Sequence, residues 1–147
     1  MLLIFLSASL RRKSKLNNYL KPELKTNPDE ISVQGLAHLG DAVFELMVRT
    51  WLCASGTSKA KNLHNKAVLF VSAKAQAGAA EKILQSLTDK ESAVFKRGRN
   101  THINTVPKNS THEQYHTATG IEALFGYLYI TGQTERLNDL FKKIIEE

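Results

Sequence analysis

Cysteine occurs once in these 147 residues, tryptophan once and proline three times. A lone thiol, Cys53, excludes an internal disulfide and leaves no CxxC pair for zinc. It fits a reducing compartment, and its place in an apolar helical stretch reads as a buried structural thiol. The apolar run at residues 1–10 is too short to span a bilayer. Its charges, Arg11, Arg12, Lys13 and Lys15, follow the run instead of preceding it, the reverse of a secretion signal. Period-two alternation is missing throughout, which argues against strands. Between Glu91 and Glu113 there is no acidic residue, and between Phe95 and Tyr115 no aromatic one.

What is present is ordinary globular material: 42% apolar and 23% charged residues, enough for one core and one domain. Lysine and arginine number 20 against 14 acids, for a net charge of +6. That excess points to a polyanionic partner, nucleic acid first and an anionic membrane surface second. Pro22 and Pro28, with Asn27 and Asp29, mark a loop. It divides an extension, residues 1–28, from a domain, residues 29–147. The extension reads as disordered or as the product of a start site placed too early.

Helical spacing dominates the domain. Leu36, Leu39, Val43, Leu46 or Met47, and Thr50 or Trp51 define a helix from about 31 to 54, with Asn27 or Asp29 as its cap and Ser55-Gly56 as its stop. Residues 59–87 are alanine- and leucine-rich and read as helix, broken near Val71-Ser72 or at Gly78. Thr88 or Asp89 caps a short helix carrying Ala93, Val94 and Phe95. Residues 96–110, polar, basic and containing Pro107, read as a loop. Helices follow at about 111–130, ending at Gly132, and at 134–145. The predicted fold is all-α.

On the first long helix Gln34, His38, Asp41 and Glu45 share one stripe, at offsets of four, three and four. Such a stripe is ordinarily a solvated face. The glycines make it more informative. Gly35 and Gly40 lie inside this helix, and Gly120 and Gly126 inside the fifth. An interior glycine costs about 1 kcal/mol relative to alanine, and close approach of two backbones is a common compensation. With Ala37, Ala42, Ala118 and Ala123 alongside, the two helices can cross tightly enough to bring Asp41 and Glu122 together. Two carboxylates with room for water suit Mg²⁺, which takes one or two carboxylates plus phosphate oxygens.

Leu39-Gly40-Asp41-Ala42-Val43 resembles the signature core of the ribonuclease III catalytic domain. Thr119-Gly120-Ile121-Glu122-Ala123-Leu124-Phe125-Gly126 resembles that domain's second acidic motif. Val71-Ser72-Ala73-Lys74-Ala75-Gln76, Lys96-Arg97-Gly98-Arg99-Asn100 and Pro107-Lys108-Asn109 are similar to the Mini-ribonuclease III branch, which lacks the double-stranded-RNA-binding domain. The resemblance runs from about Ile31 to Phe141. It implies a homodimer of the ribonuclease III endonuclease fold that hydrolyses double-stranded RNA with Mg²⁺, Mn²⁺ being a plausible substitute. The products it implies carry 5′-phosphate and 3′-hydroxyl ends. It also implies maturation of large-subunit ribosomal RNA, in the cytoplasm or, for a plant source, the plastid. Asp41 and Glu122 match two of the family's four metal-site acids, as catalytic and metal-holding residues. The other two positions fall on Ala37 and Thr119, and an aromatic dimer contact falls on His38. Fewer direct ligands and weaker metal affinity are therefore expected. The loss also keeps open an alternative, a catalytically inactive module that binds structured RNA.

The acid-free segment supplies Lys96, Arg97, Arg99, Asn100, Lys108 and Asn109 as RNA-binding candidates. Arginine and lysine neutralise phosphates, and asparagine bonds phosphate or 2′-hydroxyl oxygens. Scarce aromatics favour a duplex over a stacked single strand. No histidine is assigned to catalysis; His64 reads as exposed, and His116 as near the second motif without a required role. A helix-turn-helix DNA binder would leave Gly40 and Gly126 without a purpose.

Overall fold

The structure is a computed structural model and describes residues 18–21, 23–56, 59–102 and 105–146. Residues 1–17 and 22, and with them most of the expected extension, lie outside the described residues. Six α-helices and two 3₁₀ turns, with no strand, make up the described residues. The helices are α1 (Val33–Ala54), α2 (Ala60–Val71), α3 (Ala73–Ile83), α4 (Asp89–Arg99), α5 (His112–Ile130) and α6 (Thr134–Glu146). The all-α expectation holds, and among the described residues no helix is long and apolar enough to cross a membrane.

The caps explain most of the boundaries. Ser32, not Asn27 or Asp29, caps α1, its hydroxyl accepting from the Gly35 amide at 3.0 Å. Asn27 instead caps the 3₁₀ turn Pro28–Glu30, through the Asp29 amide. The break after α2 falls at Ser72, which ends one helix and caps the next through the Ala75 amide. Gly78 stays inside α3. Thr88 with Glu91, and Thr111 with Gln114, form capping boxes at the heads of α4 and α5. Gly56 (φ +83°) and Gly132 (φ +73°) take the left-handed conformation just beyond α1 and α5.

One expected loop is partly helix. Lys96, Arg97, Gly98 and Arg99 form the last turn of α4, ahead of an irregular stretch from Asn100. Apolar periodicity fails there, but two other terms favour helix. Gly98 is buried against α5, where an added Cβ would stand 2.8 Å from the Thr119 carbonyl oxygen. Three cations also lie where the helix dipole is negative.

Helix α5 is the centre of the domain, with α1, α3, α4 and α6 packed around it. From Ala118 to Leu128 it is buried on nearly all sides, as a core helix must be. The face that α1 lays on it runs through Leu36, Ala37, Gly40, Val43, Phe44, Val48 and Leu52. Phe44 meets Phe125 and Phe141 edge-on, at centroid distances of 5.2 and 6.0 Å. This face is rotated from the expected one, so Leu46 is 54% exposed and Met47 and Trp51 are half-buried. Cys53, expected to be buried, lies beyond its edge and is exposed. Two ties fix α6: the Lys82 ammonium donates to the Ile144 carbonyl at 2.8 Å, and Arg136 pairs with Glu91.

Candidate active site

Helices α1 and α5 touch backbone to backbone. A Cβ added to Gly40 would overlap the carbonyl oxygen of Glu122 and stand 2.6 Å from the Gly126 amide nitrogen. One added to Gly126 would overlap the Leu36 carbonyl. Of the four interior glycines singled out by their cost in a helix, Gly40 and Gly126 are therefore required by the crossing, while Gly120 packs on Phe95 of α4 and Gly35 lies by its own cap, Ser32. Asp41 follows Gly40 directly, and Glu122 supplies the carbonyl that Gly40 meets. The main chain thus brings the two acidic residues to one place.

Their environments differ. Asp41 is exposed and Glu122 half-buried. Burial, and then the charge of Asp41, push the Glu122 carboxyl up to about 8, with the Gln76 side chain acting against the rise. Asp41 is raised too, first by partial desolvation and then by Glu45, with His38 acting against the rise. Glu45 is itself held by Arg49, one turn on, at 3.0 Å. The rest of the polar stripe, Gln34 and His38, faces outward.

The two positions where the family pattern has acids are closed to the site by their chemistry. Ala37 is 7% exposed, within the core. The Thr119 hydroxyl donates back to the Tyr115 carbonyl of its own helix at 3.0 Å. Among the described residues no group of three or more His, Cys, Asp or Glu side chains gathers as a metal cage. A pair of carboxyl groups, with the His38 imidazole near enough to act on Asp41, fits a hard cation that keeps much of its water. These groups fit zinc less well, because its sites use three or four protein ligands rich in nitrogen and sulfur.

Two further polar groups are buried on α3 and α5, and the first lies at Glu122. Gln76 of α3 is 1% exposed and close enough to Glu122 to lower its carboxyl, though neither amide atom makes a hydrogen bond of ordinary geometry. His116 of α5 buries Nδ1 without a partner. Gln76 was legible in principle: it shares the helical phase of Ala79, Ala80 and Ile83, the buried face of α3. A polar residue in a core phase is the signal, and sequence reasoning used the residue only as part of a motif.

The basic candidates divide. Arg99 and Asn100 line a 430 Å³ cleft with Glu113 and His116. Arg99 also lines a 640 Å³ groove between α3 and α5 with Lys74, Gly78, Thr111 and Gln114. Lys96, Arg97, Lys108 and Asn109 are exposed and line neither. His64 is exposed, as expected.

Known proteins resemble this chain. Residues 34–133 fit the family model described as Ribonuclease III domain. A Thermoanaerobacter protein named Mini-ribonuclease 3 is 39% identical over 140 residues, 92% of this chain and 99% of its own. Mini-ribonuclease 3 of Clostridium tetani is 42% identical over 111 residues, 75% of this chain and 74% of its own. That of Streptococcus pneumoniae is 43% identical over 114 residues, 76% of this chain and 89% of its own. An X-ray structure of a Fusobacterium nucleatum protein superposes with a TM-score of 0.74 at 29% identity, covering 80% of this chain and 93% of that one.

Proposed function

Because the chain belongs to the ribonuclease III family, in its Mini-ribonuclease 3 group, we propose that it is a metal-dependent endoribonuclease of double-stranded RNA. The observation that carries this is the crossing at Gly40 and Gly126, which sets Asp41 and Glu122 side by side. In this reading Asp41 and Glu122 hold Mg²⁺, with Mn²⁺ an alternative. Once bound, the ion lowers the pKa of water and offsets charge on the phosphate.

The chain's own residues do the rest. Asp41, the more exposed carboxylate, faces the substrate side, while Glu122 supports it from the helix beneath. Arg99, Asn100, Lys96 and Arg97 at the end of α4, with Lys108 and Asn109 ahead of α5, neutralise and hydrogen-bond the duplex backbone. Water adds to phosphorus, the bond to the 3′ oxygen breaks, and that oxygen leaves with a proton. The ends are a 5′-phosphate and a 3′-hydroxyl. The cellular substrate in this reading is a precursor of large-subunit ribosomal RNA, cut in the cytoplasm or a plastid. The working form is a homodimer, consistent with the uncovered face of α1 that exposes Leu46; light scattering after gel filtration tests it.

The deciding experiment is cleavage of a long RNA duplex with and without Mg²⁺, beside the same sequence as a single strand. Mg²⁺-dependent cutting of the duplex alone supports the enzyme. Binding without cutting replaces it with the inactive RNA-binding module.

A further inference from the structure

Among the described residues, two polar or charged side chains lie in the core, Gln76 and Glu91. They are opposites in one respect. Glu91 accepts from Arg136 with both oxygens and from the Thr88 amide. Gln76 makes no hydrogen bond of ordinary geometry from either amide atom, both of them buried, and its polar neighbour is the Glu122 carboxyl, whose rise it opposes. A buried amide without ordinary hydrogen bonds is costly. Its surroundings on α3 are Ala79, Ala80 and Ile83, where a leucine or methionine of similar volume would pack without that cost. Folding alone gives no reason for glutamine here.

What stands beside the amide is the Glu122 carboxyl. A neutral amide is well chosen for that neighbour. Its Nε2 can donate to a carboxylate and fix its rotamer, yet it adds no positive charge that would compete with a cation for the same oxygens. Lysine or arginine would neutralise the site, and leucine would leave the carboxylate free to turn. Its place on α3 also makes Gln76 a contribution from a third helix, separate from the two that carry the acids.

We propose that Gln76 is a positioning residue of this site: its Nε2, without an ordinary hydrogen bond in the metal-free protein, donates to the Glu122 carboxylate when a divalent cation is bound and holds it in the orientation that binds the ion together with Asp41. The inference rests on the reading of Asp41 and Glu122 as a cation site. It assigns Gln76 no contact with RNA or with the ion.

The test uses the full chain as wild type, Gln76→Leu and Asp41→Asn. Three quantities are measured: thermal melting without metal, Mn²⁺ affinity by electron paramagnetic resonance, and kcat and KM on an RNA duplex. Gln76→Leu is expected to melt no lower than wild type, since it removes a buried amide that lacks an ordinary hydrogen bond. It is expected to bind Mn²⁺ about 10-fold more weakly and to lose about 10- to 100-fold in kcat, the usual range for a residue that orients a metal ligand. KM for RNA is expected to hold. Wild-type Mn²⁺ affinity and kcat in Gln76→Leu would overturn the proposal. So would a large drop in its metal-free melting temperature, because the amide would then belong to the fold. If wild type itself shows no Mn²⁺ binding that Asp41→Asn weakens, the cation site fails and this proposal falls with it. That outcome is separable from the first two.

Discussion

Arg136 grips both carboxylate oxygens of Glu91, Nε on Oε1 at 2.8 Å and Nη2 on Oε2 at 2.9 Å, and so joins α6 to the head of α4. Nη2 also donates to the Ser86 carbonyl at 2.6 Å. Arg136 first, with the Thr88 amide, holds the Glu91 carboxyl below its usual range against the effect of burial. Arg136→Met strands a buried carboxylate and is expected to cost about 3–5 kcal/mol, read as a lower urea midpoint. Lysine cannot reproduce the fork and is expected to recover only part. The sign in pH follows from the depressed value. The contribution of Glu91 is complete above its unfolded value of 4.5 and is lost as pH falls through the lower folded one. The melting temperature of wild type is therefore expected to drop toward that of Arg136→Met in acid.

Gly40→Ala and Gly126→Ala each drive a Cβ into a helix carbonyl, which cannot swing aside as a side chain can. Each is expected to cost about 3 kcal/mol or more, at or above the top of the usual overpacking range. Gly78→Ala is the contrast: nothing lies within 4 Å of its added Cβ. It should stabilise α3 by up to about 1 kcal/mol. Urea denaturation of the three variants separates a required glycine from a dispensable one.

The readings that succeeded and those that failed divide along physical lines. Gly40 and Gly126 were legible because glycine inside a helix is costly, and only a close neighbour compensates both. The helices α1, α5 and α6 were legible from spacing and from Gly56 and Gly132. The last turn of α4 was not, because Lys96, Arg97 and Arg99 carry no apolar period; contact of Gly98 with α5 and the helix dipole decide it. The exposure of Cys53 depended on how far α1 rotates against α5, which local sequence does not encode. The surroundings of Gln76 are a tertiary fact, whereas the back-bond of Thr119 is local, to the carbonyl four residues earlier in α5. A core-phase glutamine can be seen in the sequence, but not which group its amide meets.

In the metal-free protein Glu122, raised to about 8, is mostly protonated at pH 7. Binding a cation must displace that proton. Mn²⁺ affinity is therefore expected to rise with pH up to about 8 and then level off. Stability moves the other way. The folded value lies above the unfolded 4.5, so the stability linked to this proton is full below 4.5 and lost as pH climbs to about 8. Glu122→Gln removes the charge, and is expected to melt above wild type at pH 8 while failing to cut RNA. A wild-type melting curve flat from pH 5 to 8 without metal would count against the assignment.

Asp41→Asn keeps the shape and removes a negative charge from an exposed position. Cleavage is expected to fall at least about 100-fold, with duplex affinity within a factor of about 3 of wild type, since the charge that holds the ion is lost and the basic residues are untouched. Cutting near the wild-type rate would remove Asp41 from the site.

Arg99 reaches both the groove and the smaller cleft. Arg99→Ala is expected to weaken duplex binding evenly across sequences and to reduce the slope of log affinity on log salt by about 1 per site. Titrations of RNA at several salt concentrations give that slope. An unchanged slope would mean Arg99 meets no phosphate.

At the crossing of α1 and α5 the gauge that spaces the two acids is main chain, not side chain. A carbonyl of one helix rests on the α-carbon of the other. At Phe44 and Leu128, fully buried on the two crossing helices, exchange is expected to change stability more than that spacing. Drift in the sequence of the core therefore leaves the separation of the acids intact, whereas at positions 40 and 126 a single methyl group alters it. The family of sequences able to carry this site is broad in its hydrophobic interior and admits one residue type at two points.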